Sequence, residues 1–231
     1  MTQQKNTQVR KTFQTPAFRL SYPALLEARE TLNSRPGAPD LKFGCTMLFP
    51  KKELVAQLKA QKHPAATWMA DDNCAGLWQT ILQVARGNFG PDVDLNTLKL
   101  TKFRDGDKPK DNGKLEESAV GMVVVKTTSK EKPTLLRQDK TVITDAAELY
   151  AGCWVRAVLT VAPFLKPQHG VTIYLAGIQK LADDQAFSSR PRVEDEFDSV
   201  AAEGQGFTGA PVDATAGAPV GAPAAKQPWE V

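Results

Sequence analysis

Between Glu148 and Lys180 the chain reads ELYAGCWVRAVLTVAPFLKPQHGVTIYLAGIQK, and its first half alternates strictly. Cys153, Val155, Ala157, Leu159 and Val161 fall at every second position, with Trp154, Arg156, Val158 and Thr160 between them. A period of two belongs to a strand with one buried face; a helix would scatter these side chains around its circumference. The segment VTIYLAG resumes the pattern, setting Val171, Ile173 and Leu175 against Thr172, Tyr174 and Ala176. The stretch therefore predicts two strands and a turn, with the cysteine side as a core seam. Trp154 and Arg156 are expected on the outward side, where an indole beside a guanidinium suits a stacked nucleobase and its phosphate. Gly177 is a place for a bulge, which would decide the side on which Tyr174 emerges.

The rest of the chain repeats this logic at lower contrast. Phe18, Leu20 and Tyr22 alternate with Arg19 and Ser21, and the bracketing Pro16 and Pro23 predict a short or edge strand. The Pro and Gly of NSRPGAPD mark a loop closing the segment Glu27 to Asp40. In LKFGCTMLF, Leu41, Phe43, Cys45, Met47 and Phe49 share one face while Lys42 and Thr46 share the other. Pro50 can start a helix carrying Leu54, Val55 and Leu58. A second helix is expected with Asp72 or Asn73 as its cap, Leu77, Trp78, Ile81, Leu82 and Ala85 as its apolar stripe and Gly87 at its end. That stripe makes Trp78 a core residue. Next come a strand, a charged loop and another strand, with Lys99, Lys102, Arg104, Lys108, Lys110 and Lys114 around the loop, Phe103 among them, and Lys126 and Lys130 beyond. Basic side chains interleaved with an aromatic suit a groove that tracks phosphates, although a solvated lysine-rich loop has the same composition.

Charge is distributed unevenly. Residues 1–182 carry a net charge of +9 and residues 183–231 a net charge of −6. A basic body attracts polyanions, and an acidic segment can occupy the same surface in their absence; solvating charge is the plainer alternative. No run approaches the roughly 18 apolar residues of a membrane span, and MTQQKNTQVRKTF lacks a signal-peptide block, so a cytoplasmic protein with no membrane partner is expected. Cys45, Cys74 and Cys153, odd in number and widely spaced, predict buried thiols rather than disulfides or a metal clamp.

No pattern of a catalytic or cofactor site is present. His63 and His169 lie in Pro-flanked loop sequence, and GxSxG, HExxH, CxxC and a phosphate-binding glycine loop are all missing. Asp105-Gly106-Asp107 has hard oxygen ligands but lysine neighbours that oppose a cation, which favours a turn. A metal-dependent enzyme using Asp105 and Asp107 and acting on a nucleic acid is the enzymatic alternative. The expectation is a binding protein without cofactor or metal.

Three regions follow: an N-terminal arm over residues 1–12, a domain over 13–184 and a tail over 185–231. The tail is rich in Ala, Gly and Pro and cannot bury enough apolar surface to offset its ordering entropy, which predicts disorder. It carries an acidic cluster, Glu194, Asp195, Glu196, Phe197 and Asp198, and an aromatic tip at Trp229. Strands with inserted helices, a basic sheet face and an acidic tether predict a mainly β domain of the oligonucleotide-binding kind, a five-stranded Greek-key barrel.

Particular segments also resemble a known family. TPAFRLSYPALLEAR, FGCTMLFPKKE, the KFRDGD loop, ELYAGCWVRAVLTVAPF, GVTIYLAGIQKLADD and EDEFD are similar to the single-stranded DNA-binding proteins of tailed phages, formerly grouped as a domain of unknown function. The similarity spans roughly residues 13–198, and the Tyr150-Ala151-Gly152-Cys153 turn is its most specific piece. It implies an oligonucleotide-binding fold and a role in phage replication or recombination. On this reading Trp154 and Tyr174 stack bases, Phe103 adds a loop stack, and Arg156, Lys102, Arg104 and Lys126 hold phosphates of single-stranded DNA. The acidic cluster modulates binding, and the tip would recruit replication or recombination proteins. Related binders finish in a denser acidic run than this tip, which leaves recruitment the weaker of the two roles. A phage structural or interaction module with a basic face and a spacer tail is the alternative reading, and the oligomeric state stays open.

Overall fold

Alternating apolar residues make strands here because each can turn one face to a shared interior, and nine do so in a computed structural model that describes residues 8–31, 37–70 and 74–187. They are β1 (Lys11–Gln14), β2 (Phe18–Glu30), β3 (Leu41–Pro50), β4 (Lys99–Leu100), β5 (Phe103–Asp105), β6 (Met122–Ser129), β7 (Thr134–Leu136), β8 (Trp154–Phe164) and β9 (Gly170–Ala182). Two helices, α1 (Lys52–Ala60) and α2 (Ala75–Phe89), lie between β3 and β4. Division of the chain by contacts falls after Ser189, and every described residue belongs to the first unit, 1–189.

The hydrogen-bonded order is β4-β9-β8-β2-β3-β6-β5, with β1 added to β8 and β7 added to β9. Strands β9, β8, β2, β3 and β6 form the barrel. Its last seam, between β6 and β9, is bridged by the Thr127 hydroxyl, which donates to the Ile173 carbonyl at 3.3 Å. Inside lie Phe18, Leu20, Met47, Phe49, Val125, Val155, Leu159, Ile173 and Leu175, all buried. Helix α2 closes the interior with Leu77, Ile81, Val84 and Ala85. The cysteine face of the opening stretch is thus the core seam its alternation predicts.

Four departures from the sequence reading have local causes. Strand β2 is long and central rather than a short edge: it pairs with β3 on one side and β8 on the other. Pro23 is tolerated because the register shifts between Ser21 and Ala24, with Tyr22 at a φ of 45°, so the missing N–H falls in a bulge. Part of the expected arm is ordered, since Asn88 of α2 brackets the Val9 backbone, accepting from its N–H and donating to its carbonyl, both at 2.9 Å. Helix α2 runs through Gly87 and ends at Gly90, whose φ of 104° suits glycine alone. Finally, residues 183–187, counted partly to the tail, form a short strap against the barrel.

That strap explains the Tyr150–Cys153 turn. Gly152 sits at a φ of +115°, and a β-carbon there would stand 2.4 Å from the Gln185 carbonyl oxygen. Its N–H donates to the Leu20 carbonyl at 2.7 Å, and the neighbouring Ala151 carbonyl accepts from Phe187 N–H at 2.9 Å. Only glycine allows the turn to hold β2 on one side and the strap on the other.

Candidate nucleic-acid interface

Outward-facing residues of β8 and β9 follow from their register. Thr160 stands opposite Tyr174, Val158 opposite Gly177 and Arg156 opposite Gln179. Ala176 is an extra residue on β9 between the levels of the first and second of these pairs, so the bulge expected at Gly177 is present. It resets the alternation and leaves Tyr174 outward on the same side as Arg156. The tyrosine is 42% exposed and Val158 is 37% exposed.

The seam extends this surface. Thr127 and Ile173 both send side chains inward and meet where β6 approaches β9. Their chain neighbours Lys126, Thr128, Thr172 and Tyr174 therefore point outward along the two sides of the seam. Lys126 and Thr128 are exposed. Strand β4 pairs with β9 and β5 pairs with β6, so the linker Thr101–Lys102 crosses the same seam, with Lys102 exposed. Four of the predicted contact residues, Lys102, Lys126, Tyr174 and Arg156, are thereby gathered on the outer side of β6, β9 and β8.

Three others are not. Trp154 is 1% exposed, which overturns its expected part as a stacking platform. It does occupy the outward side of β8, but that side is roofed there by α1, by the 3₁₀ turn Pro64–Trp68 and by the strap. The indole packs with Ala17, Val55, Ala65, Met69 and Leu181 in a second small core, and its Nε1–H donates to Asp184 Oδ2 at 2.7 Å. Alternation reports the side of a sheet and carries no information on what covers that side. Arg104 is tied to Glu116, donating at 2.5 Å to a carboxylate only 9% exposed, and so has an internal counter-ion instead of a free head. Phe103 is half-buried, edge-on to Trp78 with centroids 5.6 Å apart.

The aromatic partner of Arg156 is Trp68. The guanidinium carbon lies 4.4 Å from the Trp68 ring centroid, and its Nε–H donates to Gln179 Oε1 at 2.8 Å. No periodic signal marks Trp68, because it sits at the end of a 3₁₀ turn that the sequence presents only as a loop. Its signal is compositional: a tryptophan outside any apolar stripe. Tyr22, which the alternation groups with Phe18 and Leu20, leaves their face at the β2 bulge: it is 61% exposed, with the Lys110 ammonium 6.0 Å from its ring.

Asp105 and Asp107 do not form a metal centre. Lys51 Nζ stands 2.5 Å from Asp105 Oδ1 and 2.5 Å from Asp107 Oδ2, in the place a cation would take. The Lys51 hydrogen bond holds the Asp105 carboxyl below the usual carboxylate range, and for Asp107 the Gly121 N–H does most, with Lys51 second. Burial raises the Cys45 and Cys153 thiols to about 12, which makes them core groups rather than ligands or nucleophiles. Among the described residues no group of three or more His, Cys, Asp or Glu side chains converges. Among the described residues no helix is long and apolar enough to cross a membrane. The predicted tail residues Glu194, Asp195, Glu196, Phe197, Asp198 and Trp229 lie outside the described residues.

A barrel of this strand order, with cations and an exposed aromatic along one outer seam, is an oligonucleotide-binding barrel. The family model described as the single-stranded DNA-binding protein of Enterobacter phage Enc34 matches residues 11–207, and the chain belongs to that family. Solved structures agree on the fold. The single-stranded DNA-binding protein from bacteriophage Enc34 in complex with ssDNA is 20% identical over 77% of this chain and 89% of that one, with a TM-score of 0.52. A C-terminal truncation of the same phage protein is 19% identical over 80% and 95%, with a TM-score of 0.54. No curated protein sequence matches the chain.

Proposed function

We propose that this protein binds single-stranded DNA without marked sequence preference during phage replication or recombination, along the outer side of the β6–β9 seam. The observation that carries the reading is the joint exposure of Tyr174, Lys126 and Lys102 where β6 and β9 meet. Tyr174 stacks a base, which needs only a π-face and so tolerates any sequence. Lys102, Lys126 and Arg156 neutralise phosphates and release counterions. The acidic segment Glu194–Asp198 supplies charge of the sign that competes for this surface, and the reading gives it a modulating role.

The test is a salt titration of affinity for oligo(dT) and for duplex of equal length. Log affinity should fall against log salt with a slope of about −0.7 for each phosphate held, and Lys126→Ala should make the slope shallower by about that amount. Tyr174→Ala should cost about 1–3 kcal/mol of binding with the fold intact. A flat titration, or equal affinity for duplex and single strand, would remove the reading and favour a protein-interaction module.

A further inference from the structure

We propose that Trp68 and Arg156 form a second base-stacking platform, separate from the one at Tyr174, which extends the bound strand from the seam across β8. The inference rests on the reading of the chain as a single-strand binder. Among the described tryptophans Trp68 alone is exposed, at 41%, while Trp154 is buried and Trp78 packs against the core. Its exposure is built in. The 3₁₀ turn Pro64–Trp68 is capped by His63, whose Nδ1 accepts from Ala65 N–H at 3.1 Å. It is pinned to the start of β2 by Ala17 N–H, which donates to the Trp68 carbonyl at 2.8 Å. Ala65 and Met69 on either side are buried, so the turn is anchored by its neighbours and only the indole is left outside.

Arg156 is equally fixed. Gln179 accepts from its Nε–H, and the Gln179 amide in turn donates to the carbonyls of Arg137 at 3.0 Å and Gln138 at 3.2 Å. The guanidinium is thus clamped over the indole with its terminal nitrogens unpartnered and no carboxylate paired to it among the described residues. A flat cation stacked on an exposed indole, with donors left at its edge, offers a base a surface to continue the stack and its phosphate two N–H groups. Nothing of the kind is needed for folding, since neither ring nor guanidinium fills the interior. From Arg156 to Thr160, the residue opposite Tyr174, β8 advances four residues, or roughly 13 Å. Over that distance the two platforms can be served by one short strand.

The full-length protein with Trp229→Phe, which silences the tail tryptophan, is titrated with oligo(dT) by tryptophan emission and by anisotropy of a labelled oligonucleotide. Emission should be quenched on binding, and adding Trp68→Phe should abolish most of the quench. Trp68→Ala should weaken binding of a long oligonucleotide about 5- to 160-fold, the range expected for one lost base stack. Near-UV circular dichroism of Trp68→Phe, in which an aromatic ring is kept, reports on the fold. Quenching that survives Trp68→Phe, together with unchanged affinity in Trp68→Ala, would overturn the second platform and leave the seam reading standing. Absence of binding in the Trp229→Phe parent and the wild type alike would overturn the seam reading itself.

Discussion

Trp154 offers the sharpest test, because the two readings of it predict opposite outcomes. As a stacking platform, its loss would weaken DNA binding and leave stability alone. As the structure has it, the indole is the largest fully buried side chain among the described residues, enclosed by Ala17, Val55, Ala65, Met69 and Leu181. Truncation to alanine leaves a cavity beneath α1 and the 3₁₀ turn, and large-to-small changes of this kind cost about 3–5 kcal/mol. Trp154→Phe keeps much of the packing and deletes the Nε1–H donor to Asp184. A hydrogen bond to a charged group contributes about 1.5–3 kcal/mol, and the low end applies because Arg19 Nη2 remains 3.4 Å from that carboxylate and solvent reaches it. In a domain of this size the alanine variant should melt about 6–20 °C below wild type, with phenylalanine between. The assay is urea unfolding of the three proteins, with oligo(dT) affinity measured under conditions where each is folded. Wild-type stability combined with weakened DNA binding in Trp154→Ala would refute the buried assignment and restore the stacking role.

Further outcomes follow from the same contacts. The strap holds through Asp184 and through Phe187, over whose ring the Arg19 guanidinium lies at 4.4 Å; a chain ending at Ser188 should therefore keep wild-type stability, while one ending at Ala182 should lose about 2–4 kcal/mol in denaturant unfolding. Equal stability of the two truncations would show that the strap does not contribute. In a Cys74→Ala background no thiol should react with Ellman's reagent at pH 8 in the native protein, and two should react in guanidinium, because burial raises Cys45 and Cys153 to about 12. Fast native labelling would contradict that burial. Asp105 and Asp107 titrate below their unfolded value of about 3.9. Their contribution is present above that value and lost as pH falls through the lower folded values, so wild type should lose stability more steeply than Lys51→Met between pH 4 and 2. Parallel acid limbs would show that Lys51 does not hold the pair.

Most of the barrel was legible because burial on one face of a strand imposes a period of two. Cys153–Val161, Val171–Leu175 and Leu41–Phe49 each show it, and each is a barrel strand with the predicted face inside, in the last only from Cys45 onward because Leu41 is exposed and Phe43 half-buried. Lys126, Lys102 and Tyr174, exposed, and the half-buried Arg156 are legible as outward cations and an aromatic, since charge and an outward position suffice to find them. The chain as a whole also carries the segments that mark its family. Short strands such as β7, whose three residues show no period, and the order of Glu27–Glu30 beyond a proline were beyond such reasoning.

What only the tertiary structure decided is which outward residues remain outward. Trp154 and Arg156 are two residues apart on one strand and share a side, and local sequence treats them alike. A segment some ninety residues earlier in the chain, folded into α1 and a 3₁₀ turn, covers the first and hands the second a different tryptophan. Pairing of β9 with β8 places the bulge that turns Tyr174 outward, and the approach of β6 to β9 brings Lys126 to its side. Alternation is a property of neighbours in the chain, whereas coverage depends on contacts between residues far apart in it. The stretch from Glu148 to Lys180 therefore determined its own strands and core face, and the rest of the chain determined which part of its other face stays exposed.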